Sequence, residues 1–294
     1  MKLRVLVLGH GEMGHALDYL LAEKHDVHIW SRSSTTILEE EVGKAQVILF
    51  CLPVNAHIDV IKRLAPFLQK DSLCLSIAKG LDESGKTAAQ IFSSTLADQH
   101  RFGVIYGPMI SEEIRLGRYA FADVALSSSD DFDRIRTLFI GSKLICRQVS
   151  DMTGSSWSVI LKNVYAIMFG VTDGLNLGDN IRGHLVVTAL AEISAILLKF
   201  GAEGHTPFAY AGLGDLVTTA TSENSHHHEL GRRLAEGQFD AISGEGVHTL
   251  AMVEKFHLFD FQVYPLFKLI RNIISTPENL DTLVEAYLDQ LQSW

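Results

Sequence analysis

The sequence predicts a doubly wound α/β domain of the Rossmann type, followed by an all-helical domain. Three observations carry that expectation. Up to Val149, short β-rich apolar runs alternate with stretches of helical spacing, the pattern of strands and helices wound around one sheet. After Asp151 the alternation stops and the apolar residues recur at helical intervals only. The charge shifts at the same place, with 17 basic against 18 acidic residues in 1–150 and 8 against 17 in 151–294. A chain of 294 residues suits two medium domains. We therefore expect an α/β domain over 1–150 and a helical domain over 151–294.

Taken in order, the expected strands are 3–8, 27–30, 47–52, 73–77, 104–106, 124–126 and 144–146. Several are apolar throughout, as parallel strands covered on both faces should be. Helical spacing fills 13–24 and 57–68 between them. Glycine and serine then cluster at 150–156, a hinge or helix start between the domains. The clearest helical stretches beyond it are 155–175, 181–200, 229–235, 246–259 and 280–291. The apolar helices of 155–200 leave room for a homodimer interface.

Composition bounds the partners. A formal net charge of −10 argues against a nucleic-acid binder, which needs basic surface to displace counterions. Cys51, Cys74 and Cys146 are odd in number and sit in apolar runs, so they read as core residues of a reducing cytosol. No disulfide framework and no metal site is expected. The start of the chain does not read as a signal peptide, so a cytoplasmic location without membrane attachment is expected.

The first strand ends at Gly9-His10-Gly11-Glu12-Met13-Gly14, and a helix pattern follows at once. In that context Gly9 allows a tight turn, Gly11 admits a pyrophosphate close to the backbone, and Gly14 lets helix and strand pack closely. The helix N-terminus then offers unpaired N–H groups to the phosphates. Glu12 is out of keeping there, because a carboxylate beside a pyrophosphate is unhelpful unless it points to solvent. After the second strand comes Ser31-Arg32-Ser33-Ser34, where an NAD enzyme would ordinarily carry an acid. Arg32 would pair with a 2′-phosphate or stack on adenine, so NADP is the expected cofactor with NAD tolerated.

Between Met152 and Thr172 the one charged side chain is Lys162, in a stretch apolar nearly all the way round. Such a helix is buried, and an ammonium taken out of water loses hydration unless it is paired. Desolvation brings a lysine toward proton transfer near neutral pH; an ion-paired structural lysine is the alternative. Asp215, in the glycine-flanked run Ala211-Gly212-Leu213-Gly214-Asp215-Leu216, is the available partner.

With these residues in place, the chain resembles the soluble bacterial NAD(P)-dependent glycerol-3-phosphate dehydrogenases over nearly its whole length. The glycine loop is similar to the family's G-x-G-x-aromatic-G, with Met13 for the aromatic. Phe50-Cys51-Leu52-Pro53, Ala78-Lys79-Gly80-Leu81 and Gly107-Pro108-Met109-Ile110-Ser111-Glu112-Glu113 resemble its V-P, K-G-L/I and G-P-S-F-A-x-E segments. Leu161-Lys162-Asn163-Val164-Tyr165-Ala166-Ile167 resembles L-K-N-x-x-A-I. The run from Gly212 to Thr219 resembles G-x-G-D-L-x-x-T, and Gly244-Glu245-Gly246-Val247 resembles the E-G-V segment.

The resemblance implies reversible reduction of dihydroxyacetone phosphate by NAD(P)H, and hence a place in glycerophospholipid synthesis. It implies Lys162, Lys79 and Asp215 as catalytic residues. Gly9, Gly11, Glu12, Met13, Gly14, Arg32, Lys79, Ser111 and Glu245 would hold cofactor. Substrate would meet Lys79, Gly107, Lys162, Asn163, Asp215, Thr219, Ser225, His226 and His227. The nicotinamide is expected at the carboxyl ends of the strands, against the helical domain.

One departure bears on the substrate. Where the family has S-R-N, this chain has Ser225-His226-His227. A guanidinium presents a permanent charge and a fork for two phosphate oxygens, whereas a neutral imidazole offers one donor. Losing that fork weakens phosphate affinity by roughly ten- to a hundredfold. The histidines would still hold phosphate when protonated, with affinity rising as pH falls through ~6–7, and Arg182 is a second candidate cation. A related reductase of a 3-hydroxy or 2-keto acid is the alternative, and a silent nucleotide-binding regulator a further one.

Overall fold

The structure, a computed structural model, describes residues 2–96, 100–222 and 225–292. Contacts divide the chain into two units, 1–82 with 86–156 and 83–85 with 157–294.

The first unit is built on seven strands: β1 (Arg4–Leu8), β2 (Asp26–Trp30), β3 (Val47–Phe50), β4 (Leu73–Ser76), β5 (Arg101–Tyr106), β6 (Ala120–Leu126) and β7 (Leu144–Val149). They form one sheet in the order β2-β1-β3-β4-β5-β6-β7. All seven runs read from the sequence are strands. Along β1, Val5 and Val7 enter one core while Leu6 and Leu8 enter the other, which is why the run shows no polar alternation. Helices α1 (Glu12–Leu21), α5 (Ser111–Arg115) and α6 (Phe132–Phe139) bury their apolar residues in the first core. Helices α2 (Leu38–Val42), α3 (His57–Leu64) and α4 (Ala88–Leu96) do so in the second.

Every neighbouring pair is parallel except β5 and β6. The link between them holds only the short α5, less than the full helix a parallel crossover uses, and the chain returns antiparallel. The strand order reverses between β1 and β3, the topological switch point at which doubly wound sheets take their ligands.

The second unit is helical. Helix α7 (Met152–Gly174) starts in the serine-rich segment and is buried almost throughout, so it offers no free face. After it come α8 (Asp179–Lys199), α9 (Asp215–Thr221), α10 (His226–Ala235), α11 (Glu245–Phe256), α12 (Pro265–Ser275) and α13 (Leu280–Leu291). Helix α9 follows one wide π-helical turn at Tyr210–Gly214. Helices α7 and α10 cross at two glycines: a Cβ on Gly170 would strike the His228 carbonyl, and one on Gly231 the Ile167 carbonyl.

Among the described residues one helix, α8, is long and apolar enough to cross a membrane. Core helices pass the same test, and Glu192 on α8 is committed inside the protein. Its carboxylate accepts the Tyr165 hydroxyl at 2.9 Å and the Leu266 and Phe267 N–H groups at 2.8 and 3.0 Å, capping α12.

Candidate active site

The first unit's candidate site is made chiefly of backbone. Gly9 has φ +114, and its N–H donates to the Trp30 carbonyl at 2.9 Å. A Cβ there would lie 2.5 Å from the Cys51 carbonyl oxygen, and one on Gly14 would collide with the Gly9 carbonyl. Those two glycines are required by the fold. Gly11 is different: a Cβ on it would meet nothing within 4 Å. The protein leaves that space open at the start of α1, whose N-terminus carries no side-chain cap. An anionic phosphate fits such a cradle, bound by N–H groups and favoured by the helix dipole.

Glu12 does not simply point to solvent: it pairs with Arg115 of α5, Oε2 to Nη2 at 2.5 Å. The rings of His10 and His15 lie 4.2 Å apart at the same turn. Met13 is half-buried against the core, and Arg32 is exposed in the loop after β2.

The loops after β3 and β4 are tied together by one imidazole. His57 Nδ1–H donates to the Pro53 carbonyl at 3.1 Å, and its Nε2 accepts the Ser76 hydroxyl at 2.9 Å. Burial pushes the His57 pKa down to about 4, only partly offset by the bond to Pro53. Ser76 Oγ also accepts the Ala78 N–H at 3.1 Å, and the Tyr106 hydroxyl donates to the Ala78 carbonyl at 3.0 Å. That network fixes the turn carrying Lys79, whose Nζ donates to the Gly107 carbonyl at 3.3 Å. Lys79 and Gly107 are thus brought together. Gly107 has φ +156, with the Phe121 carbonyl where a Cβ would be. Ser111 opens α5, and Met109 is a core residue.

The second unit's candidate site is made of side-chain pairs. Lys162 is 4% exposed; its Nζ lies 3.1 Å from Asp215 Oδ2 and donates to Thr219 Oγ1 at 2.5 Å. Asp215 is the first residue of α9 and Thr219 lies one turn on, so one helix presents both to the amine. A buried ammonium and its compensating carboxylate are both held out of water. Beside it, Asn163 Nδ2 donates to Glu245 Oε2 at 3.1 Å. A Cβ on Gly246 would lie 2.7 Å from the Asn163 carbonyl, so the start of α11 lies directly against α7.

The histidine run departs from expectation. His227 Nε2 accepts the Gly246 N–H at 3.1 Å, so in this arrangement it is a neutral acceptor rather than a phosphate-binding cation. Ser225 is the N-cap of α10, accepting the His228 N–H at 3.3 Å. His226 is exposed and lines a cavity of about 570 Å3 with Arg233, Ser243 and Glu245. Arg182 is engaged by Asp173 and Asp179 rather than standing free as a spare cation.

Several pairs escape a reading of the sequence. Arg115 lies 103 residues from Glu12, and His228 pairs with Asp173 at 2.7 Å across 55 residues. Glu192 is also hidden, since an acid inside an apolar helix is its one signal. Desolvation works to raise the Asp173 carboxyl, but hydrogen bonds from Arg182 and His228 hold it below the usual carboxylate range; burial raises that of Glu192. The thiols of Cys51, Cys74 and Cys146 are free and pushed up to about 12 by burial.

A phosphate cradle at the switch point of a doubly wound sheet belongs to the nucleotide-dependent oxidoreductases, and the helical unit with its buried lysine suits that class. Comparison narrows it. A model described as NAD-dependent glycerol-3-phosphate dehydrogenase N-terminus matches 33–131, and its C-terminus counterpart matches 151–285. Glycerol-3-phosphate dehydrogenase [NAD(P)+] of Synechocystis sp. is 34% identical, the match covering 97% of this chain and 94% of that protein. The Gloeobacter violaceus protein of the same name is 33% identical over 86% of each. The crystal structure of glycerol-3-phosphate dehydrogenase from Coxiella burnetii superposes with a TM-score of 0.86 at 25% identity, covering 98% of this chain and 99% of that one. The chain belongs to the NAD-dependent glycerol-3-phosphate dehydrogenase family.

Proposed function

We propose that the protein reversibly reduces dihydroxyacetone phosphate to glycerol 3-phosphate with NADPH or NADH. The observation that carries this reading is the buried Lys162 amine, paired with Asp215 and Thr219 on a helix of the matched family. The dinucleotide, when bound, supplies the hydride to the carbonyl carbon. Lys162 Nζ stabilises the negative charge that develops on the carbonyl oxygen and gives it a proton; in reverse the neutral amine takes that proton back. Asp215 holds the amine in place and Thr219 fixes its direction.

Lys79 is assigned to a substrate oxygen, and Asn163 and His226 to the phosphate end. The glycine turn, Arg32, Ser111 and Glu245 are assigned to the cofactor, with Arg32 favouring NADP. A reductase of a different small carbonyl is not favoured, because the full-length likeness runs to glycerol-3-phosphate dehydrogenases. Three free cysteines support a reducing cytosol. A homodimer would use the exposed Val187 and Leu198 of α8, since α7 has no free face; light scattering decides it.

The test is NADPH oxidation with dihydroxyacetone phosphate. Lys162→Ala is expected to lower turnover by ~10²–10⁴ while NADPH still binds, which also separates an enzyme from a silent regulator. Turnover of keto acids with none of dihydroxyacetone phosphate would overturn the substrate assignment.

A further inference from the structure

Glu12 is the first residue of α1 and follows Gly11, the position where the backbone stands open. A first-turn carboxylate is a natural partner of the helix dipole. It therefore competes with any phosphate that approaches the same N–H groups. At about 6 Å from a phosphate charge, an unmasked carboxylate would weaken binding by roughly three- to a hundredfold, depending on the local dielectric.

Arg115 meets this charge. It is the last residue of α5, and the neighbouring Ile114 is buried in the core shared with α1, which anchors the short helix at this position. Its guanidinium reaches Glu12 Oε2 at 2.5 Å, with the two side chains 38% and 69% exposed. Exposed ion pairs contribute little to stability, so folding does not account for the contact. A guanidinium also has more donors than the one spent on Glu12.

We infer that the Glu12–Arg115 pair sets the dinucleotide affinity of the glycine turn, Arg115 masking a carboxylate that would otherwise repel the pyrophosphate. Arg115 is thus a positioning residue, acting through Glu12. This rests on the dinucleotide reading of the turn. His10 and His15 also lie at the turn, so every titration is run at one fixed pH.

The experiment is a titration of the full chain with NADPH, read by its own fluorescence, at about 0.02 M and about 0.5 M salt. Arg115→Ala should raise Kd about tenfold at low salt and much less at high salt. Glu12→Gln should bind as tightly as the parent or more tightly. The double variant should return to within about threefold of the parent, because the charge needing a mask is gone. The inference is overturned if Arg115→Ala stays within about twofold at low salt, or if the double variant is as weak as Arg115→Ala. A parent chain that binds neither NADPH nor NADH refutes the dinucleotide reading instead.

Discussion

The two units build their candidate functional groups from different materials. In the first, the glycine turn is backbone, positioned by glycines that the fold itself demands, and the unit's buried imidazole is kept uncharged by burial and held in place by Pro53 and Ser76. In the second, the centre is side chain, with a buried cation and anion each compensating the other. The contrast teaches where each is vulnerable. A backbone site fails when something is added to it, and a paired site fails when something is taken away.

The largest expected effect follows from removal. Asp215→Asn strands the Lys162 ammonium, which should cost ~3–5 kcal/mol in a denaturation titration and abolish turnover. The double change Lys162→Met with Asp215→Asn should recover much of the stability and none of the activity. If the single and double variants are equally stable, the two units do not differ as described.

Addition is the next test. Gly14→Ala forces a methyl onto the Gly9 carbonyl and should destabilise by ~1–3 kcal/mol. Gly11→Ala meets no protein atom, so it should leave melting nearly unchanged while weakening NADPH binding. Equal losses of stability from the two would remove the distinction between folding and ligand glycines.

The last test concerns acid, an effect that builds gradually with pH. The folded His57 pKa of about 4 lies below its unfolded value, so protonation favours the unfolded chain. The stability this group lends above pH ~6.5 is lost as pH falls toward 4, at no more than about 1.4 kcal/mol per pH unit. His57→Gln should flatten urea-denaturation stability across that window. An unchanged slope would mean that the imidazole is not held neutral.

What could be read in advance divides along the same line. The strands were legible because both faces of the sheet are buried, leaving continuous apolar runs such as β1. The glycine turn was legible because its parts are neighbours in sequence. The direction of β6 was not, since pairing sense is set by the link before it and not by its own residues. Helix α12 was hidden because Pro265 looks like a breaker, although the first helical turn tolerates proline. The burial of Lys162 was visible as one charge in an apolar helix, and Asp215 as its available partner. The engagement of His227 by Gly246 was not, because a hydrogen bond across 19 residues leaves no local pattern.

The glycine crossing of α7 and α10 has a consequence for the histidine run. With carbonyls already seated where Gly170 and Gly231 lack side chains, α10 has no freedom to slide along its neighbour. An imidazole is shorter than a guanidinium, and a wedged helix cannot advance to make up the missing length. Against the arginine that the resemblance implies at 226, a histidine therefore shortens the reach of this helix end, and a longer reach calls for a side chain supplied elsewhere.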